Sequence, residues 1–290
     1  MSNNLLTPNG QESESVVVVS QPKRPSNIWL IIVAALFIIV PFLTWYLTWF
    51  GRGLSDQELA TYLSDQKNPR HMQHALLQIQ QRLERGDQSA KQWYPQLISL
   101  SGNSETEFRL TVAWVMGFDN QEPQFHQALL KLVKDEQPIV RRNAALALVR
   151  FKDASGREEL MSVLQPYAVK APADGNIAST LKQGAEIARG ALLARIHRSD
   201  GPVVELRSPL PGRINNISRP NDSHVAVGDE ILTLNSDEGS VYEALRGLAL
   251  IGQQEDLPAI EAYAVRQDAT ERVRQQAQLT VKAIQNRFVK

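Results

Sequence analysis

The chain has 290 residues, no cysteine and a formal net charge of zero at pH 7. The neutral balance argues against nucleic-acid partners, because a phosphate-binding face needs a clustered excess of basic residues. The missing cysteines exclude thiolate catalysis, disulfides and cysteine-ligated metal sites. The length suffices for one large domain or two modest domains with hydrophobic cores.

Residues 28–50, IWLIIVAALFIIVPFLTWYLTWF, form an apolar run without a charged residue. A helix of this length covers about 35 Å, which matches the thickness of a bilayer. The run ends in Trp45, Tyr46 and Trp49, whose rings suit the membrane interface, whereas a cleaved signal peptide is shorter and ends in small residues. The sequence therefore predicts one transmembrane helix from Ile28 to Phe50, in contact with the lipid bilayer.

The flanking charges predict the orientation of this helix. Lys23 and Arg24 precede it and Arg52 follows it, a bias that favours a cytoplasmic N-terminus. Residues 1–27 are rich in Ser, Asn, Gln and Pro, which is typical of a disordered tail. We therefore expect a single-pass protein whose bulk lies outside the cytoplasm.

Two blocks, residues 54–166 and 238–290, have helical periodicity and share a repeat. The repeat begins at Phe108-Arg109, Val140-Arg141, Val241-Tyr242 and Val273-Arg274, with a spacing of 32 residues within each block. These segments resemble HEAT repeats, in which an Arg near the helix start is followed by inward Ala and Leu. The resemblance implies a mainly α solenoid that binds proteins over an extended surface.

Residues 167–237 lose the helical period and alternate short apolar runs with turn signals such as Pro211-Gly212. This pattern predicts a small all-β module inserted into the solenoid. The module contains two similar segments: residues 171–177 read APADGNI, and residues 208–214, 37 positions later, read SPLPGRI. Two tandem half-units are the simplest explanation, and we expect Gly175 and Gly212 to occupy equivalent, sterically restricted bends.

Residues 169–196 and 205–234 resemble the two halves of the biotinyl/lipoyl carrier fold, the barrel-sandwich hybrid, in the form found in membrane fusion proteins. The first half keeps the pattern G-x-x-I-x-x-G-x-x-L from Gly184 to Leu193. The resemblance implies a flattened barrel closed by alternating apolar residues. It also implies a periplasmic adaptor anchored in the inner membrane of a bacterium.

Two departures from this family restrict the function. Gly201 stands in the hairpin that joins the halves, where a carrier domain presents its modified lysine, and no lysine lies between Lys182 and Lys282. Covalent biotin or lipoate at that position is therefore excluded. In membrane fusion proteins a long helical hairpin is inserted at this point and reaches toward an outer-membrane channel. Residues 197–204 form only a short turn here, so we expect no contact with such a channel through this hairpin.

Candidate catalytic and metal-binding residues are few. His71 and His74 lie three residues apart without a third ligand nearby, and we interpret them, like His126, as solvated helix residues. The remaining candidates occupy loops or turns of the β module, and turn chemistry accounts for the acidic ones: His197, His224, Asp174, Asp222 and Asp229. No nucleophile elbow, HExxH motif, P-loop or dinucleotide fingerprint is present. We therefore expect no enzyme activity, no cofactor and no metal.

Two functions fit these features. In the first, the chain is a non-catalytic adaptor or scaffold of a membrane transport complex, most simply an exporter. In the second, it is an accessory or assembly subunit that holds a respiratory or polymer-synthesising membrane complex through its HEAT-like surface. Both place the C-terminal bulk in the periplasm with protein partners, and the sequence does not name the partner.

Overall fold

The computed structural model describes residues 28–48, 53–65 and 67–288, with the side chains of Trp45, Leu47 and Thr48 excepted. The predicted tail, residues 1–27, and the last two residues of the predicted span, 49 and 50, lie outside the described residues. The chain divides into two compact units between Gly53 and Leu54.

The first unit contains one helix, α1, from Ile28 to Thr48, with Pro41 inside it. Large apolar side chains along α1 are exposed, among them Trp29, Ile31 and Phe37. In the part of the chain that the structure describes, no helix has both the length and the apolar character needed to cross a membrane. The predicted transmembrane helix is thus not found among the described residues.

The second unit is built on ten helices of the described residues. They are α2 Asp56–Ser64, α3 Pro69–Glu84, α4 Tyr94–Leu100, α5 Thr106–Met116, α6 Pro123–Leu132, α7 Pro138–Arg150, α8 Arg157–Val163, α9 Glu238–Ile251, α10 Leu257–Val265 and α11 Glu271–Phe288. Short 3-10 turns lead into α4, α8 and α10. Five helices have a proline in their first turn: α3, α4, α6, α7 and α10. Proline is favourable there because the first N–H groups of a helix have no partner in the helix, so its missing N–H costs nothing.

The helices stack as a solenoid of two layers. We call α3, α5, α7, α9 and α11 the A layer, since each of these packs against the next in the series. The shorter helices α4, α6, α8 and α10 each pack against the A-layer helix that follows them. The predicted helical repeats are confirmed by this arrangement.

The repeated Arg ties each A-layer helix to the loop before it. Arg109 of α5 donates to the carbonyls of the residues six and five positions earlier, both at 2.9 Å, and Arg141 of α7 does the same at 2.8 and 3.1 Å. Arg274 of α11 donates to the carbonyl five positions earlier at 2.6 Å. The residue before each Arg is buried in the core, which explains the doublet in the sequence. In α9, whose preceding loop comes from the β module, Tyr242 replaces the Arg.

The solenoid continues across the inserted β module. One buried cluster joins Val149 of α7 and Leu160 of α8 to Leu245 of α9 and Ala277 of α11. Arg157 at the start of α8 also contacts Asp256 before α10 at 2.7 Å. Helices α8 and α9, which are separated by the 74 residues 164–237, therefore share one core, and the β module leaves this stack between them.

The β module has eight strands. They are β1 Tyr167–Lys170, β2 Gly175–Ala178, β3 Glu186–Ile187, β4 Leu192–His197, β5 Val204–Arg207, β6 Gly212–Ile217, β7 His224–Val225 and β8 Glu230–Ser236. They form two antiparallel sheets of order β1-β8-β6-β3 and β5-β4-β2-β7, with an apolar core. The predicted closed barrel is wrong, because each sheet ends in its own edge strands and no described strand of one sheet pairs with the other.

The two sheets are related by a pseudo-twofold axis. Exchanging β1–β4 with β5–β8 converts one sheet order into the other. Lys170 pairs with Glu230 next to an irregularity in the ladder, and its counterpart 37 residues on, Arg207, pairs with Leu192 next to the same irregularity. The doubled phrase of the sequence thus corresponds to two structurally equivalent half-units.

Candidate protein-binding groove

A groove with a volume of about 480 Å³ opens on the outer side of the A layer. Its lining includes Trp114 of α5, Arg150 of α7, Arg246 and Leu250 of α9, and Gln276 of α11. We call these five residues the A-layer groove. They come from four successive helices of the layer, so the groove exists only because α9 continues the stack beyond the β module.

Helical periodicity places the groove residues opposite the core. In α9, Ala244, Leu245 and Leu248 are buried while Leu250 is 67% exposed. In α5, Val112, Ala113 and Val115 are buried while Trp114 is 38% exposed. An amphipathic helix normally presents polar residues on this side, so exposed Trp and Leu here mark the surface as unusual.

Arg150 lies on an aromatic platform. Its guanidinium carbon is 4.2 Å from the ring centre of Phe118 and 5.1 Å from that of Trp114, and the two rings meet edge to face. Burial lowers the pKa of Arg150 from its usual value. No carboxylate of the described residues lies within 4 Å of this guanidinium. Stacking fixes the Arg side chain and leaves its N–H groups available.

A second arginine, near the groove but outside its lining, also lies on an aromatic ring. Arg272 of α11 lies 3.8 Å from the ring centre of Tyr242, and it is one helical turn before Gln276 and so on the same face. It also has no carboxylate of the described residues within 4 Å. Arg246 between them is already paired with Glu243 at 3.1 Å.

The side chains of the groove are suited to recognition. Its lining combines exposed apolar side chains with the guanidinium of Arg150, which lies on aromatic rings, and with the ion pair of Arg246 and Glu243. Such a surface can bind an extended or helical protein segment.

The structure places Gly201 in the loop between β4 and β5, whose strands pair up to Ile196 and Val204. It thus lies at the hairpin that joins the two half-units. His197 and His224 flank Asn176 on the neighbouring strands β4 and β7. They are not joined by a third ligand: no group of three His, Asp or Glu side chains suited to a metal occurs in the described residues.

The other candidate histidines, His71, His74 and His126, lie on the solenoid. His71 contacts Asp65 at 2.9 Å and stacks on Tyr62, with ring centres 4.3 Å apart. His74 is within 3.3 Å of the side-chain amide of Gln78, and His126 contacts Asp153 at 2.6 Å. Each imidazole therefore has a structural contact on the solenoid.

The three candidate aspartates of the β module, Asp174, Asp222 and Asp229, lie at its turns. Asp174 accepts a hydrogen bond from the N–H of Val227 at 2.6 Å, which links the first half-unit to the second. Asp229 accepts from the N–H of Ala226 at 3.2 Å, and Asp222 adopts a left-handed backbone with φ of +63°. Asp tolerates this conformation better than most residues.

The arginines of the groove were missed in the sequence, where Arg150 was part of an ordinary helix face. The repeat itself contains the signal. Arg150 follows Phe118 by 32 residues, one repeat length, so the two occupy corresponding places at the C-terminal ends of the neighbouring helices α7 and α5. When the repeats are aligned, an aromatic residue in one repeat at the position of an Arg in the next predicts that this Arg stacks on the aromatic ring.

Comparison with known proteins supports the helical part of this description. Residues 94–175 match the family model of HEAT repeats, a match that ends inside the β module. No curated protein matches the chain. Among solved structures, an engineered protein has 14% identity and a TM-score of 0.40 over 79% of this chain and 78% of its own, which is too distant for any argument. HEAT repeats generally mediate protein–protein interactions, so the chain is similar to interaction scaffolds of this type.

Proposed function

We propose that this chain is a non-catalytic scaffold that holds a partner protein in the A-layer groove. The observation that carries the proposal is the groove itself, in which Trp114 and Leu250 are exposed beside a stacked Arg150. Exposed aromatic and Arg side chains in a recess are the residues most often found at the energetic centre of protein interfaces.

We further propose that residues 28–50 anchor the scaffold to the inner membrane of a bacterium, with the second unit in the periplasm. The described part of α1 ends at Thr48 and does not meet the length and apolar character of a membrane span, whereas the uncharged run of the sequence extends to Phe50. The exposed apolar side chains of α1, such as Phe37 at 78%, favour a lipid environment.

Within the membrane we propose a role in a transport complex, most simply an exporter. The support is the resemblance of residues 169–196 and 205–234 to the barrel-sandwich hybrid of membrane fusion proteins, together with the pseudo-twofold relation of the two sheets. The second candidate, an accessory subunit of a respiratory or polymer-synthesising complex, rests on the HEAT-like solenoid alone.

Site-specific photocrosslinking in cells tests the scaffold proposal. A photoreactive residue at position 250 should form a discrete crosslinked species, because it lies in the groove. The matched control places the same residue at position 158, where Glu158 is exposed on the short helix α8. Equal crosslinking at both positions, or none at 250, would show that the groove does not hold a partner.

Two further measurements test the location and the complex. A reporter enzyme that is active only outside the cytoplasm should be active when fused after Lys290, and activity of a cytoplasmic reporter instead would overturn the orientation. Mass spectrometry of the species crosslinked at position 250 then distinguishes the two complexes. A transporter subunit favours the first, and a respiratory or polymer-synthesising enzyme favours the second.

A further inference from the structure

The charge state of the A-layer groove defines the chemistry of its partner. Several arginines of the solenoid form ion pairs, as in Arg109 with Asp135 at 2.7 Å and Arg157 with Asp256 at 2.7 Å. Arg150 and Arg272 instead lie on aromatic rings, and no described carboxylate is within 4 Å of either guanidinium, although Glu243 of the groove lining acts on Arg150 from farther away. Arg150 thus lines the recess, and Arg272 lies on the same face of α11 as Gln276 of the lining, each without a carboxylate in contact.

We infer that the segment bound in this groove is an acidic peptide with an apolar anchor, in which carboxylates meet Arg150 and Arg272 while the anchor covers Trp114 and Leu250. This inference rests on the proposed scaffold function. A planar guanidinium binds a carboxylate through two parallel hydrogen bonds, and this geometry needs the fixed orientation that stacking provides.

The apolar part of the groove determines how the acidic segment is held. Leu250 of the groove lining is 67% exposed, and Leu279 of α11, three residues beyond Gln276 of the lining, is 60% exposed. An entirely charged partner would leave these side chains in water, and an entirely apolar partner would bury two cations without partners at high cost. A segment that alternates Asp or Glu with Leu or Phe satisfies both requirements.

Selection of random peptides displayed on phage tests the inference. The full chain, solubilised in detergent, serves as the target, and its variant with Arg150→Gln and Arg272→Gln serves as the counter-target. We expect the enriched peptides to contain more Asp and Glu than the unselected library, together with a large apolar residue. Their affinity should fall by at least about tenfold on the double variant, which corresponds to the loss of one charge-assisted interaction.

Two controls keep this experiment decisive. Arg85→Gln removes an exposed arginine at the end of α3 and should leave the affinity unchanged, and thermal melts report whether each variant is folded. Trp114→Ala and Leu250→Asp should also abolish binding if the peptides occupy the groove.

The outcomes separate the inference from the function on which it rests. Enriched peptides without an excess of carboxylates that still require Trp114 and Leu250 would overturn the acidic partner and leave the scaffold standing. Peptides that are indifferent to both groove substitutions, or no enrichment at all, would overturn the groove as a binding site, and the inference with it.

Discussion

Gly175 lies directly against the backbone of His197. A Cβ atom on Gly175 would be 2.5 Å from the carbonyl oxygen of His197, and the φ of Gly175 is +153°, a conformation that L-residues rarely adopt. The pseudo-symmetric partner has the same problem, since a Cβ on Gly212 would collide with the carbonyl oxygen of Asn235. The prediction that these two glycines occupy restricted positions is confirmed.

Substitution of either glycine by Val should therefore destabilise the β module. We expect Gly175→Val and Gly212→Val each to lower the free energy of unfolding by about 1–3 kcal/mol, because the conflict is with backbone atoms that cannot move aside. Thermal melts measure the effect. Gly201→Lys is the control: a Cβ there meets only the flexible end of Arg198, at 3.2 Å, so the melting temperature should change little. Unchanged melts for all three variants would refute the steric explanation.

Removal of the β module should leave a folded solenoid. Because Leu160 and Leu245 share one core cluster across the insertion, α8 and α9 remain packed without the strands between them. We expect replacement of residues 168–234 by a short Gly/Ser linker to give a cooperative melt and a larger helical fraction in circular dichroism. A broad, non-cooperative transition would mean that the solenoid depends on the module.

Lys152 stands at a position that favours glycine. It follows α7 with φ of +58°, and the N–H of Asp153 donates to the carbonyl of Leu148 at 3.1 Å, as in a Schellman cap. Gly86 occupies the same place after α3 with φ of +69°. We expect Lys152→Gly to stabilise the chain by about 1 kcal/mol and Gly86→Ala to destabilise it by a similar amount, measured by urea denaturation. Destabilisation by Lys152→Gly would contradict this explanation.

Asp135 should contribute a pH-dependent part of the stability. Burial acts to raise its pKa, but hydrogen bonds from Arg109 and from the N–H of Gln137 outweigh burial and hold the pKa below its usual value. Its contribution is therefore complete above the unfolded pKa of about 3.9 and is lost as the pH falls through the lower folded pKa. Asp135→Asn should lower the melting temperature near neutral pH, and the difference from the parent should shrink at acidic pH. A difference that is constant with pH would exclude the ionised carboxylate as its cause.

Arg142 is a buried cation at the base of the insertion. Its side chain is 5% exposed, two of its nitrogen atoms have no hydrogen-bond partner, and its nearest carboxylate, Glu159, is 3.8 Å away. Glu159 already has a closer partner in Arg141, at 2.8 Å. Because burying this charge is costly, we expect Arg142→Met to keep or raise the free energy of unfolding, by up to about 2 kcal/mol, in chemical denaturation. A clear loss of stability would show that Arg142 contributes to holding the module on the solenoid.

The sequence alone determined the local structure of this protein. The Val-Arg doublets and their spacing of 32 residues predicted the A-layer helices, because each doublet combines a core residue with an Arg that caps the preceding loop. The doubled phrase around Gly175 and Gly212 predicted two equivalent half-units, because side chains are excluded wherever strands approach closely. These features depend on contacts within one repeat, so a single segment is enough to specify them.

The tertiary structure decided what depends on distant segments. Whether the strands close into a barrel depends on edge pairing, and the periodicity that predicts strands is the same for a closed barrel and for two separate sheets. The groove depends on α9 packing against α7 across the 87 residues between them, 151–237, which places Leu250 beside Arg150. Likewise Arg150 and Arg272 read as ordinary surface charges in the sequence, since whether an arginine has an acidic partner is known only when the neighbouring helices are in place.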